Sequence, residues 1–190
     1  MLHILLYVSE FILLIFLIII LVLFILWTIG NFKNKAPFVT SSKAVLKDIE
    51  KALEIKDDSV VYDLGCGDGR ILFYLSKFHP KAKYIGIENG VFPFFLSKIG
   101  AHYNQKKTNN HVKVLRTDFF KHDLSEATHI FTYLYPNVMD DLLSKFDSEL
   151  KPGTRLVSLS FQFTNKRPIE EIDLNRSKYK LGRKLYVYQF

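Results

Sequence analysis

Val60-Val-Tyr-Asp63-Leu-Gly65-Cys-Gly67-Asp68-Gly69-Arg70 is the stretch on which the reading of this chain turns. An apolar run from Ser59 to Leu64 carries Asp63 near its end. Three glycines then alternate with other residues, and Ile71, Leu72, Leu75 and Phe78 recur at helical spacing before Pro80. The pattern predicts a short buried strand over 59–64, a turn over 65–69 and a helix that stops before the proline. Open α/β sheets bind ligands beyond the carboxyl ends of their strands, where glycine lets the backbone come close to the ligand. The dinucleotide fingerprint is G-x-G-x-x-G. Here Arg70 occupies the last position and the third glycine falls one residue early, so the pattern is D-x-G-x-G-x-G. A pyrophosphate wants a helix N-terminus free of competing anions. Asp63 and Asp68 flank this turn and suit a ligand with a cationic amino-acid portion better. A purely structural turn is the plain alternative.

Working outward, helix and strand alternate. Ser41–Ser42 are placed to cap a helix bearing Val45, Leu46, Ile49 and Leu53. Further strands are predicted at Tyr84–Ile87, Val112–Leu115, His129–Leu134, Arg155–Phe161, Ile169–Ile172 and Leu185–Phe190. Helices are predicted from Phe92 to about Tyr103, with polar Asn104–His111 as the exit, and from Val138 to Leu150, ended by Lys151-Pro152-Gly153. Alternation of this kind implies an α/β fold with a mainly parallel sheet covered on both faces. No helix separates the last two strands, so the final strand should run antiparallel.

The N-terminus is a different material. Phe11–Trp27 is an unbroken apolar run of 17 residues, extended by Thr28 and Ile29. At about 1.5 Å per residue, residues 11–29 approach the ~30 Å of a bilayer core. A signal peptide would need a positive start and a small-residue cleavage site, and neither is present. Residues 1–32 therefore read as one transmembrane anchor, 33–40 as a linker and 41–190 as the folded domain. Trp27 suits the interface. Lys33, Lys35, Lys43 and Lys47 follow the run and no Lys or Arg precedes it, which puts the C-terminal domain on the cytoplasmic or an equivalent interior side.

The chain has 26 Lys+Arg against 19 Asp+Glu, a formal +7. Glu10 is the one charged residue before Lys33, so residues 33–190 carry a formal +8. The cations are scattered, without a run of five like charges, which favours a membrane-surface role over nucleic acid; an ordinary solvated basic surface is equally compatible. One cysteine excludes a disulfide framework, and Cys66 reads as a small residue between glycines. The six histidines have no metal-ligand spacing, so no metal is expected, and there is no Gly-x-Ser-x-Gly elbow or Walker loop.

The Asp63–Gly69 pattern resembles the first motif of the class I S-adenosylmethionine-dependent methyltransferases. Pro37-Phe38-Val39, Tyr62–Arg70, Tyr133-Leu-Tyr-Pro136 and Leu150–Ser158 occur in that order. Together they resemble a compact group of protein lysine methyltransferases that includes membrane-tethered mitochondrial enzymes acting on the ATP synthase c-subunit and the adenine nucleotide translocase, with short bacterial and archaeal relatives. The resemblance spans about residues 36–162, and departs from the group at Thr40, where Pro is usual. It implies a Rossmann-like class I methyltransferase fold with an antiparallel last strand, preceded here by one transmembrane helix.

The resemblance implies S-adenosyl-L-methionine as cofactor. Asp63, Gly65, Gly67 and Asp68 would line its amino-acid portion. Glu88, at the end of the second strand, would accept the ribose hydroxyls. Asp118 would accept the adenine amino group, with Phe119 packed near the ring and Phe38 closing over the cofactor. Tyr133, Tyr135 and Pro136 lie where acceptors bind in this fold, and Tyr133 and Pro136 are the expected acceptor-positioning residues. Methyl transfer of this kind needs positioning and desolvation rather than a nucleophilic residue. The expected acceptor is a protein lysine, at or in the membrane. A small molecule or membrane lipid as acceptor, and a non-catalytic cofactor-binding or scaffold module, stay open as alternatives.

Overall fold

The computed structural model describes residues 2–33, 45–108, 112–174 and 183–190. It comprises two compact units, Met1–Lys35 and Ala36–Phe190. The first is a single helix, α1 (Leu2–Lys33). Its stretch Tyr7–Ile25 is 19 residues of high mean hydropathy with exposed side chains, long and apolar enough to cross a membrane.

The second unit is built on a seven-stranded sheet. The strands are β1 (Val60–Leu64), β2 (Lys83–Ile87), β3 (Val112–Leu115), β4 (His129–Thr132), β5 (Arg155–Leu159), β6 (Glu170–Asp173) and β7 (Lys184–Gln189). Their order is β3-β2-β1-β4-β5-β7-β6. The first five are mutually parallel, and β7 runs antiparallel to both β5 and β6. This is the Rossmann-like arrangement expected, including its antiparallel end. The order reverses between β1 and β4, the crevice where ligands settle in such sheets.

Among the described residues α2 (Leu46–Leu53) precedes β1, and α3 (Arg70–Phe78), α4 (Val91–Thr108) and α5 (Pro136–Glu149) join strands of the sheet. The core lies on both sheet faces. On one side Ile49 and Leu53 of α2 and Leu72 and Leu75 of α3 pack on Val61, Tyr84, Phe131 and Val157. On the other, Val138, Leu142 and Phe146 of α5 pack on Tyr62, Leu64, Ile130 and Leu156. Neighbours in sequence thus point to opposite cores, which is why the central strands read as continuous apolar runs rather than alternating ones. Each fully buried side chain of this size contributes about 1.5–3 kcal/mol.

The predicted elements hold with shifted ends: α5 starts at Pro136 rather than Val138, and further ends move. α4 runs through Asn104 to Thr108, because Asn104 is buried and its Nδ2 donates to Ser76 Oγ at 2.9 Å on α3. β4 leaves the sheet at Thr132 rather than Leu134, and β5 at Leu159 rather than Phe161. The Ser41–Ser42 cap and the Pro37–Thr40 segment lie outside the described residues.

Candidate functional site

At the carboxyl end of β1 the chain bends through Gly65, Gly67 and Gly69, at φ +76°, +59° and +78°. L-residues with a Cβ rarely tolerate three such values in five positions, so the glycines are what let the turn exist. The Gly65 and Cys66 amides both donate to Ile87 O, at 2.8 and 3.0 Å, which stitches the turn to the end of β2. Cys66 is buried, as a spacer residue should be, and burial pushes its thiol far up. Its sulfur fits because Gly86 faces it: a Cβ at Gly86 would sit 2.6 Å from Cys66 Sγ.

Glu88 closes the other side. Its Oε2 accepts from the Gly67 amide at 2.9 Å and its Oε1 from the Gly90 amide at 2.7 Å. One carboxylate therefore holds both the glycine turn and the start of α4. With about four lone-pair sites on the carboxylate and three backbone N–H groups on it, acceptor capacity towards a ribose hydroxyl remains. Burial raises its pKa, partly offset by the hydrogen bonds from Gly90, Gly67 and Asn89.

Asp63 is 2% exposed, and its Oδ2 has no hydrogen-bond partner among the described residues. Burial first, then the charges of Glu88 and Asp68, hold its pKa well above the usual carboxylate range. A buried, partnerless carboxyl oxygen facing two further acids is a site for a cation or a donor. The residues present thus fit a ligand carrying an ammonium and a sulfonium charge. Asp68 is differently engaged. Its carboxylate takes Arg70 Nε at 3.0 Å and Nη2 at 2.6 Å, and these bonds outweigh its partial burial to lower its pKa.

The Glu88 amide donates to Leu115 O at 3.0 Å, which brings the end of β3 alongside. Beyond it Asp118 Oδ1 accepts from the Phe120 amide at 2.9 Å, closing a tight turn. Phe119 and Phe120 stand 5.0 Å apart, and Phe119 packs partly against the core. Asp63, Gly65, Gly67 and Glu88 thus lie at the carboxyl ends of β1 and β2, with Asp118 in the turn after β3. Phe38 lies outside the described residues.

Across the crevice, β4 is followed by Tyr133-Leu134-Tyr135, and Pro136 opens α5 at a position where its missing N–H costs nothing. Leu134 reaches the turn: a Cβ on Gly65 would meet its Cδ2 at 3.3 Å. Tyr133 stacks on Phe161 with centroids 6.0 Å apart, and Tyr135 tilts against the same ring at 5.2 Å. Ser160, at φ +69°, turns the chain out of β5 and hydrogen-bonds the Tyr133 hydroxyl. Burial raises the pKa of that hydroxyl, against this bond. Ser160 and Phe161 are site features that sequence reasoning missed. Phe161-Gln162-Phe163 alternates as a strand would, and nothing in the residue types announces a left-handed serine. A separate concavity of about 400 Å³ lies over Gln162–Glu171, lined by Lys166, Arg167, Glu170 and Glu171 among others.

Comparison with known proteins follows the same line. The family described as the ANTKMT methyltransferase domain matches residues 63–170. A protein-lysine N-methyltransferase of Saccharolobus islandicus is 31% identical over 152 residues, covering 80% of this chain and 92% of that protein. The lysine N-methyltransferase of the ATP synthase c-subunit from Xenopus laevis is 26% identical over 129 residues, 68% of this chain and 55% of its own length. Among solved structures, an RNA methyltransferase of Salinibacter ruber in complex with S-adenosyl-L-homocysteine superposes with TM-score 0.72 at 29% identity, covering 80% of this chain and 93% of that one. The acid-lined glycine turn, the strand order and these matches agree: this chain is a methyltransferase using S-adenosyl-L-methionine, and it belongs to the family of the ANTKMT methyltransferase domain.

Proposed function

We propose that this chain methylates lysine side chains of a protein acceptor presented at a membrane. The bound cofactor supplies an electrophilic methyl on a sulfonium. Asp63 receives the ammonium of its amino-acid portion, with Gly65 and Gly67 giving the backbone close approach and Asp68 adding negative field behind Arg70. Glu88 accepts the ribose hydroxyls. Asp118 accepts the adenine amino group beside Phe119. Phe38 is assigned a covering role by resemblance alone.

The observation that carries the acceptor assignment is the aromatic wall of Tyr133, Tyr135 and Phe161 next to the glycine turn. Tyr133 and Pro136 set the position of that wall, one by its hydroxyl and the other by fixing the start of α5. A lysine must lose its proton before attack, and a half-buried aromatic channel disfavours the ammonium. Aromatic faces also attract the methylammonium product, which still carries charge. The names of the Saccharolobus and Xenopus relatives support lysine as the acceptor. α1 is assigned as a single membrane span, with the second unit on the cytoplasmic or an equivalent interior side, because lysines follow its apolar run and none precedes it.

The test incubates the full chain with methyl-labelled S-adenosylmethionine and membranes from the source cell. Label recovered as methyl-lysine from one membrane protein is the expected result. Label in the lipid extract, label released by ribonuclease, or cofactor binding without transfer to anything would each overturn the lysine assignment.

A further inference from the structure

α4 is built inside out. The face it turns to the domain carries Phe94 at its start and then small or polar residues, Ser97 (0% exposed), Gly100, Ala101 and Asn104 (5%), packed on Phe73 and Ser76 of α3. The face it turns to water carries Phe92 (60% exposed), Phe95 (58%), Leu96 (37%), Ile99 (57%) and Tyr103 (62%). Their spacing of i, i+3, i+4, i+7 and i+11 draws one apolar stripe along the helix. A contiguous exposed stripe of this kind marks a surface that something covers.

The charge around the stripe says what. From Asn89 to Thr117 the chain has no Asp or Glu, yet contains Lys98, Lys106, Lys107, Lys113 and Arg116. Lys98, Lys106 and Arg116 are exposed, the first two on α4 itself and Arg116 just beyond β3, the edge strand next to α4, while Lys113 points to the opposite face of the sheet from Val112 and Val114 and does not border the stripe. Aromatic and aliphatic side chains bordered by cations without one intervening acid form the pattern of a helix lying in a lipid interface, rings in the acyl boundary and lysines at the headgroups. We propose that the outer face of α4 is a docking surface for an anionic lipid bilayer. Docking of this face does not require that α1 cross a membrane. It goes beyond tethering, because it fixes which side of the domain faces the lipid. α4 starts three residues after Glu88, so the docked face begins next to the cofactor edge of the sheet.

The test uses the full chain with a polarity-sensitive fluorophore at Ile99→Cys, and in a second variant at Lys151→Cys, which is exposed in the turn after α5. Native Cys66 is buried and stays unlabelled. Each is mixed with vesicles of phosphatidylcholine alone or with added phosphatidylserine, with and without a lipid-borne quencher. The Ile99 label should shift to the blue and be quenched several-fold more with phosphatidylserine, and high salt should reverse this, while the Lys151 label stays water-like. Lys98→Glu/Lys106→Glu should abolish the phosphatidylserine preference. A water-like Ile99 label on every vesicle would overturn the proposal. So would a blue shift untouched by the lipid quencher and growing with protein concentration, which would mean that a second copy or another protein covers the stripe. Resistance to alkaline carbonate extraction reads α1 separately: an extractable chain whose Ile99 label is still quenched retains docking and loses the anchor.

Discussion

Asp63→Asn should make the cofactor-free protein more stable and the enzyme worse. Asp63 is 2% exposed, its Oδ2 has no partner among the described residues, and Glu88 and Asp68 repel its charge. Leaving such a group unsatisfied costs about 1–3 kcal/mol, more when it is charged. In a domain of this size each kcal/mol moves Tm by about 2–4 °C. The isosteric amide should therefore raise the cofactor-free Tm by about 2–12 °C at mildly alkaline pH. The sign of the pH dependence follows from the raised pKa: Asp63's contribution is intact below its unfolded pKa and is lost as pH rises through its folded one. The gap between variant and wild type should thus widen towards alkaline pH and close in acid. Binding should move the other way. Loss of one charge-assisted contact to the cofactor's ammonium is worth about 1.5–3 kcal/mol, or roughly 10–150-fold in Kd. Thermal melts across pH and calorimetric titration with S-adenosyl-L-homocysteine read both quantities. A lower cofactor-free Tm at alkaline pH together with unchanged affinity would refute the reasoning and make Asp63 a structural residue.

Glu88→Gln keeps the shape but turns one oxygen into an NH2 facing the Gly67 or Gly90 amide, so affinity should drop by about a hundredfold and the turn should loosen; titration and amide exchange at Gly67 would check it. Gly86→Ala places a Cβ 2.6 Å from Cys66 Sγ and 2.9 Å from Leu72 Cδ1, an overpacking of about 1–3 kcal/mol. Adding Cys66→Ala should recover much of it, measured as a double-mutant cycle on Tm. Phe161→Ala removes the ring shared by Tyr133 and Tyr135, two contacts of about 0.5–1.5 kcal/mol each. Methyl transfer should slow about tenfold with cofactor Kd unchanged, and a parallel loss of cofactor affinity would move Phe161 out of the acceptor wall.

The parallel half of the fold was readable because its signals are local. Glycines at fixed positions, Pro136 at a helix start and apolar runs bounded by Pro80 or Pro152-Gly153 each specify backbone geometry without help from distant residues. What stayed hidden depends on partners far along the chain. Asn104 reads as a helix exit, yet a buried bond to Ser76, 28 residues away, carries α4 onward. Ser160 reads as strand, yet its left-handed turn swings Phe161 beneath Tyr133 and Tyr135. Asp68 reads as a ligand to the cofactor, and only the folded turn brings Arg70 onto its carboxylate. The outward stripe of α4 was invisible for the opposite reason: an apolar helix face is expected to point inward, and small residues at Ser97, Gly100 and Ala101 took that place.

Glu88 grips the Gly67 amide with one oxygen and the Gly90 amide with the other, so the turn proposed to receive the methyl donor and the root of the helix proposed to face lipid share a single carboxylate. Binding free energies at two such places are reciprocal. Whatever factor a docked α4 applies to cofactor affinity, bound cofactor must apply to docking. An enzyme wired in this way would register at the membrane surface whether its cofactor site is filled or empty, through its residence on the bilayer.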